Sequence, residues 1–226
     1  MTAHLLSIQK KLEQSSGKKL KVKINDNRST MLSVRWEPDY TRVSLHRIFL
    51  DAPQNVMDDL ACYLKEGDQP VGFTVRAFIE DNLKKLDYSH TIDAGKLYVQ
   101  GRVYNLKEIY NRLNDEYFDG RLKLFITWFG KHELKARSRI NFGLYYDPLK
   151  LIKINRLMDK TEIPEYVLSY VIYHEMLHFV CPSYYDEKGI HRIHTKEFKA
   201  MERQYEHYKR ALKWIKDHQS DLFPNY

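Results

Sequence analysis

The stretch Tyr173-His174-Glu175-Met176-Leu177-His178 decides how this chain is read. Residues four apart in an α-helix lie one turn above each other, so both imidazoles project from one face if the segment is helical. Two nitrogens presented in this way can share one Zn²⁺ at about 2.0–2.1 Å. Glu175 is rotated from His174 by about 100°. Its carboxylate therefore falls beside the metal, near a water rather than on the ion, where it can accept a proton from that water. A chain with this many histidines and glutamates meets the His-Glu-x-x-His spacing by chance about 3% of the time, so the pattern of needs support from its surroundings. Pro164 opens a predicted helix at a position where a missing N–H costs nothing. That helix runs to about Val180, and Pro182 stops it. Val171, Ile172, Leu177 and Val180 make the flanks apolar, which buries the helix and holds the histidines rigidly. The competing reading is a pair of hydrogen-bonded core histidines.

A catalytic zinc takes three protein ligands and keeps one position open. His191, His194 and Glu197 compete for the third place within residues 189–198. His194 is the strongest of the three. It sits just before another predicted helix, with Thr195 as N-cap and Phe198 and Met201 packing behind it. Glu197 falls in a first helical turn, where a carboxylate suits the helix dipole without any metal. His191 has no such anchor. Arg192, Tyr205 and Tyr173 are the available donors for a developing oxyanion.

Outward from this centre, Asn105 and Glu108 form a capping-box pattern. Leu106, Ile109, Tyr110, Leu113 and Tyr117 give the following helix one apolar stripe, ended by Gly120. Residues 122–129 read as a strand with Leu122, Leu124, Ile126 and Trp128 on one face. Residues 139–145 and 151–155 read as a hairpin around Asp147-Pro148. Phe198, Met201, Tyr205, Tyr208, Leu212 and Ile215 predict one long C-terminal helix with a single packed face. Nearer the N-terminus, a short helix at 5–14 precedes strands at 19–24, 31–36 and 41–49. Helices follow, from Asp51 to about Tyr63 and over about 74–86. Residues 88–103 read as irregular and form a soft boundary. The expected organisation is an N-terminal α/β region over 1–103 and a second domain over 104–226.

The order of capped helix, strand, hairpin, His-Glu-x-x-His helix and His-x-x-Glu-Phe helix start resembles the SprT-like zinc metallopeptidases, including the Spartan-type proteases. The matching pieces are Leu113-Asn114 with Tyr117-Phe118-Asp119-Gly120, then Ile126-Thr127-Trp128, His174 to His178, and His194-Thr195-Lys196-Glu197-Phe198. They span roughly residues 104–218. The resemblance implies an α+β fold with a zincin-like core and the hairpin near the substrate cleft. It implies His174, His178 and His194 as zinc ligands and Glu175 as catalytic base. The four-cysteine zinc ribbon of many relatives cannot be built from Cys62 and Cys181.

The expected function is thus a zinc-dependent metalloprotease acting on a protein or peptide substrate. The alternative is a nucleic-acid-binding or adaptor protein with a structural or vestigial zinc site. The intact Glu175 favours the enzyme, because a structural site has no need of a base. Composition agrees with a globular enzyme: of 226 residues, 43% are hydrophobic and 30% charged, which excludes a disordered or collagenous chain. No run approaches the roughly 18 apolar residues of a membrane span, so no membrane partner is expected. Two cysteines exclude a disulfide framework and point to a reducing, cytoplasmic location. The net charge of +7 permits a nucleic-acid partner without requiring one. The basic loop at 131–139 is the place where such a partner would approach. Because no aromatic residue interleaves its charges, an ordinary solvated loop is preferred there.

Overall fold

Alternating residues build the first sheet. In the computed structural model, which describes residues 2–27, 30–67, 69–131 and 141–218, helix α1 (Thr2–Ser16) leads into strands β1 (Leu20–Asn25), β2 (Leu32–Trp36) and β3 (Thr41–His46). Their order is β1-β3-β2, with β1 parallel and β2 antiparallel to the central β3. The strand expected over 41–49 stops early. His46 turns its Nδ1 to accept the Ile48 N–H at 3.3 Å, capping a 3-10 turn over Arg47–Asp51. Helices α2 (Gln54–Glu66) and α3 (Phe73–Leu83) complete this unit. Leu12, Val43, Leu45, Phe49, Leu60 and Leu64 lie at the centre of its core.

The chain divides into two compact units. One comprises residues 1–86 with 184–191, the other residues 87–183 with 192–226. The irregular segment 88–103 belongs wholly to the second unit, and it is fastened there by hydrogen bonds rather than by regular structure. Tyr88 N–H donates to Pro148 O (2.7 Å), Trp128 N–H to Tyr98 O (2.8 Å), and Tyr98 N–H to Thr127 Oγ1 (3.0 Å). The buried carboxylate of Asp159 accepts the N–H groups of Arg102, Val103 and Tyr104 at 2.6, 3.0 and 3.2 Å.

Helix α4 (Leu106–Phe118) starts where the cap predicts, with the Asn105 side chain accepting from Lys107 N–H and Glu108 N–H. Strand β4 (Phe125–Phe129) begins later than expected. Side chains take the place of ladder partners ahead of it. Asn114 bonds both the N–H and the C=O of Leu122, and Tyr110 OH donates to Leu122 O and accepts from Leu124 N–H. The hairpin of β5 (Gly143–Tyr146) and β6 (Leu151–Asn155) closes through a 3-10 turn at Asp147–Leu149. The sheet order is β4-β6-β5, so β5 is an edge strand, antiparallel to β6. Ile126, Trp128, Ile152 and Ile154 face the core.

Helix α5 (Glu165–Val180) packs among these elements and buries residues on every side. A helix buried all round shows little amphipathic period, and its identity in sequence came from its prolines and its motif. A short hairpin, β7 (Tyr184–Tyr185) with β8 (His191–Arg192), then leads to α6 (Lys196–Glu202) and α7 (Tyr208–Asp217). The single C-terminal helix of the sequence reading is therefore two helices. A turn over 203–207 is held by Tyr205 OH donating to Tyr166 O (2.9 Å) and Glu206 N–H donating to Tyr117 OH (3.1 Å). The turn shifts the phase, so Ala211 is buried on α7 while Leu212 is exposed. Among the described residues the fold is α+β, with seven α-helices and small sheets. None of those helices is long and apolar enough to cross a membrane. The basic loop lies almost entirely within 132–140, outside the described residues. Cys62 and Cys181 are both free.

Candidate metal centre

His174 and His178 stand one turn apart on α5, with ring centroids 5.1 Å apart. His194, the residue before the N-cap of α6, brings its ring to 4.9 Å from His174 and 5.2 Å from His178. One nitrogen from each lies within 4.8 Å of the other two. Among the described residues this is the cluster able to hold a metal ion. Two local features fix it. Thr195 Oγ1 accepts the Phe198 N–H at 3.1 Å and so starts α6 directly behind His194. The fully buried Phe198 ring then floors the triad, 5.0, 4.9 and 4.7 Å from the three imidazoles.

The chemistry of the donors suits a cation. Burial, then the neighbouring His174 and His194, pushes the His178 pKa down to about 4. Burial and His174 also lower that of His194. Both rings are therefore neutral at physiological pH and keep a lone pair for a metal. His174 is oriented by a carboxylate that the sequence reading missed. Its Nδ1 donates to Glu202 Oε1 at 2.7 Å, and Tyr170 OH donates to the same oxygen at 2.8 Å. Burial alone would raise the Glu202 pKa, but these two hydrogen bonds, together with the nearby His174 and His194, outweigh it and hold the group below its usual value. With Nδ1 committed as donor, the Nε2 lone pair of His174 remains for a ligand. A signal for Glu202 exists in sequence: Phe198, Glu202 and Tyr205 share one helical face, so an acid interrupts an apolar stripe.

Glu175 is 6% exposed and lies under β5. Burial raises its pKa to about 7, against the pull of His174 and of a hydrogen bond from the Tyr145 N–H. Gly143 makes room for it: a Cβ at that position would stand 2.6 Å from the Glu175 Cγ. Nothing in the sequence reading flagged this glycine.

The other residues considered lie elsewhere. His191 contacts Glu80 (2.7 Å) and stacks on Tyr185, whose ring centroid is 4.5 Å away. Glu197 is exposed in the first turn of α6 and outside the cluster. Tyr173 and Tyr205 are buried, with their hydroxyls donating to Met201 O and Tyr166 O. These two are packing residues. Arg192 is exposed on β8.

Three histidines floored by Phe198, with a buried carboxylate one position beyond the first, form a cluster that could hold one metal ion. The sequence profile of the SprT-like family matches residues 106–218, from the start of α4 to the end of α7. The chain belongs to the SprT-like family, whose members are zincin-like metallopeptidase-type domains. No curated protein and no solved structure shows significant similarity to it.

Proposed function

We propose that the protein is a zinc-dependent metallopeptidase in which His174, His178 and His194 hold Zn²⁺ and Glu175 is the general base. The observation that carries this reading is the convergence of the three histidine nitrogens within 4.8 Å, beside the buried Glu175. Three imidazole nitrogens are a donor set typical of catalytic zinc. Zn²⁺ in such a site supplies a Lewis acid that polarises a carbonyl and lowers the pKa of water. Glu175 accepts the proton of the attacking water and returns it to the leaving amine. The Tyr145 N–H holds its carboxylate in register while it does so.

The core reads as zincin-like, with β5 as the rim of the cleft. Asn155 N–H bonds Phe142 O, so along the antiparallel pair Leu144 faces β6 while Gly143 and Tyr145 turn their backbone groups outward. Tyr145 spends its outward N–H on Glu175. The outward groups of Gly143 are placed to receive an extended protein or peptide substrate as an added strand. Residues 104–226, with the segment 88–103 fastened to them, then form the metallopeptidase domain, with 1–86 accessory to it.

The test is zinc content in protein purified without added metal, followed by casein and self-cleavage assays. Wild type should carry about one zinc per chain, and His194→Ala should lose it. Glu175→Gln should retain zinc and cleave nothing. A wild-type protein that binds no zinc, even after metal is added back, overturns the reading.

A further inference from the structure

The sheet of the N-terminal unit has two edges, and the chain treats them differently. Its order is β1-β3-β2. The outward backbone groups of β1 are covered by α1: Gln9 Nε2 donates to Leu20 O (3.0 Å), Gln9 Oε1 accepts the Val22 N–H (3.3 Å), and Glu13 Oε1 accepts the Leu20 N–H (2.9 Å). The β2 edge has no such cover. His46 N–H bonds Met31 O at 2.7 Å, and the register pairs Ser33 with Ser44 and Arg35 with Arg42. Hydrogen-bonded and non-hydrogen-bonded pairs alternate along an antiparallel ladder, so Leu32, Val34 and Trp36 turn their N–H and C=O groups away from β3. Among the described residues no hydrogen bond reaches those outward groups. An edge of this kind is a template for another chain.

The face beside that edge is cationic. Side chains alternate across a strand. Val22, Val43 and Val34 turn to the core, while Lys21, Arg42 and Arg35 stand in register on the other face, one from each strand, and are exposed. Lys23 is exposed on the same face, one row along. With strands about 4.8 Å apart, the row is about 10 Å wide. Like charges set directly opposite each other destabilise a sheet. Glu37 answers one of them, with Oε1 3.9 Å from the Arg42 guanidinium. Lys21, Lys23 and Arg35 make no ion pair among the described residues. A guard against chance pairing needs one charge on the edge strand itself, and Arg42 and Lys21 lie one and two strands further in.

We propose that the β2 edge and this cationic row form a docking site for an extended acidic segment of a partner protein, added to the sheet as a fourth strand. Such a strand presents alternate side chains to the two faces. Those on the face of Arg35 meet the cations, and antiparallel addition places Arg35 in a non-hydrogen-bonded pair, where opposed side chains come closest. Those on the other face lie beside Val34 and Trp36, the latter 44% exposed. The segment that fits therefore alternates acidic and apolar residues. A nucleic acid is the poorer match. Its phosphate backbone has no N–H to donate to the outward carbonyls. Tyr40 is engaged by Lys21 and Arg42, at 3.8 and 5.8 Å from its ring centroid, rather than free to stack on a base. The site belongs to residues 1–86, outside the family match, and does not depend on the zinc site proposed above.

The test uses full-length protein and the fluorescence anisotropy of a labelled peptide of alternating glutamate and valine. Wild type should bind it, less tightly as salt rises. A lysine–valine peptide of the same length should bind about tenfold more weakly or worse, because like charges across an interface are heavily penalised. Arg35→Glu should weaken the acidic peptide by about tenfold or more. Val34→Pro removes one outward N–H at an edge position where proline is tolerated, and it should abolish binding while the cations remain. Should Val34→Pro fail to fold in a thermal melt, N-methylated peptides test the edge on the wild-type protein. Methyls on one alternate set of amides should abolish binding, and methyls on the other set should leave it intact. No binding of the acidic peptide by wild type, or equal binding by Arg35→Glu, overturns the proposal. Binding that survives Val34→Pro, or survives both N-methyl sets, overturns it too. A single-stranded oligonucleotide that binds wild type and Val34→Pro more tightly than the peptide does would make the face a nucleic-acid surface and overturn it. Wild type that dimerises while Val34→Pro stays monomeric would make a second copy the occupant and overturn it as well.

Discussion

Gly143→Ala separates the metal from the base. The added Cβ would stand 2.6 Å from both Cγ and Oε1 of Glu175 and 2.9 Å from Cδ. Non-bonded carbon atoms settle at about 3.5–4.0 Å, so Glu175 or β5 must move by about 1 Å. The move is not cheap. Cγ is not the free end of the side chain, the residue is 6% exposed, and Tyr145 N–H holds the carboxylate. Overpacking of this kind costs about 1–3 kcal/mol, which for a chain of this size lowers Tm by about 2–4 °C per kcal/mol. A 1 Å misplacement of a reacting group costs about 100-fold in rate. The three atoms nearest the new methyl all belong to Glu175. The expected outcome is therefore kcat/KM down about 100-fold, zinc content at the wild-type level, and a melt a few degrees lower. Peptide hydrolysis, metal analysis and a thermal melt on one preparation read all three. A variant with the wild-type rate refutes the argument that Gly143 is there for Glu175. A variant that loses zinc in proportion to rate refutes the separation of base from metal.

Three further outcomes follow from buried polar groups. Glu202→Ala should weaken zinc binding by about 10–100-fold, and Glu202→Gln should lose less because its amide oxygen still accepts from His174; equal affinity in all three proteins would show that the His174–Glu202 bond does not orient the ring. Asp159→Ala strips acceptors from three backbone N–H groups, each costing about 1–3 kcal/mol when left unsatisfied, so chemical denaturation should show a loss of several kcal/mol; a loss under 1 kcal/mol would count against the anchoring of 88–103. The first unit should be acid-sensitive through His46, whose pKa is lowered by burial despite Asp26 at 3.1 Å. The unfolded chain, with an imidazole pKa of about 6.5, then binds the proton first. Stability is present above that value and falls as pH drops through it towards the folded pKa. Denaturant melts between pH 7.5 and 5 should show this slope in wild type and a flatter one in His46→Gln, and a flat wild-type profile would refute it.

Local chemistry made much of the site readable from sequence. Asn105 and Thr195 are caps, and a cap needs only a short polar side chain within three residues of an unsatisfied N–H. The placement of His174 and His178 follows from helical spacing alone. His194 was preferred over His191 because a helix start stands behind it, and the structure brings His194 to the other two while His191 turns to Glu80. What escaped the reading depends on partners distant in sequence. Residues 122–124 look like strand, but Asn114 and Tyr110 bond their backbone instead. Gly143 carries no pattern of its own; its meaning is the depth of Glu175 beneath it.

The break in the C-terminal helix and the missed carboxylate have one cause. A stripe of residues three and four apart fits two short helices nearly as well as one long helix, because each contributes only two or three apolar positions. Glu202 occupies the core face at the point where α6 ends. Its carboxylate is caught by His174 and Tyr170, which ties the end of α6 to α5. If α6 continued straight, Tyr205 and Glu206 would be carried away from the partners they meet on α5 and α4. The turn instead lets Tyr205 OH reach Tyr166 O and Glu206 N–H reach Tyr117 OH. Those bonds and the orientation of His174 are thus satisfied by the same short segment. The sequence mark of such a break is an acid standing in an apolar stripe, and here that acid is also the group that orients a histidine of the candidate metal centre.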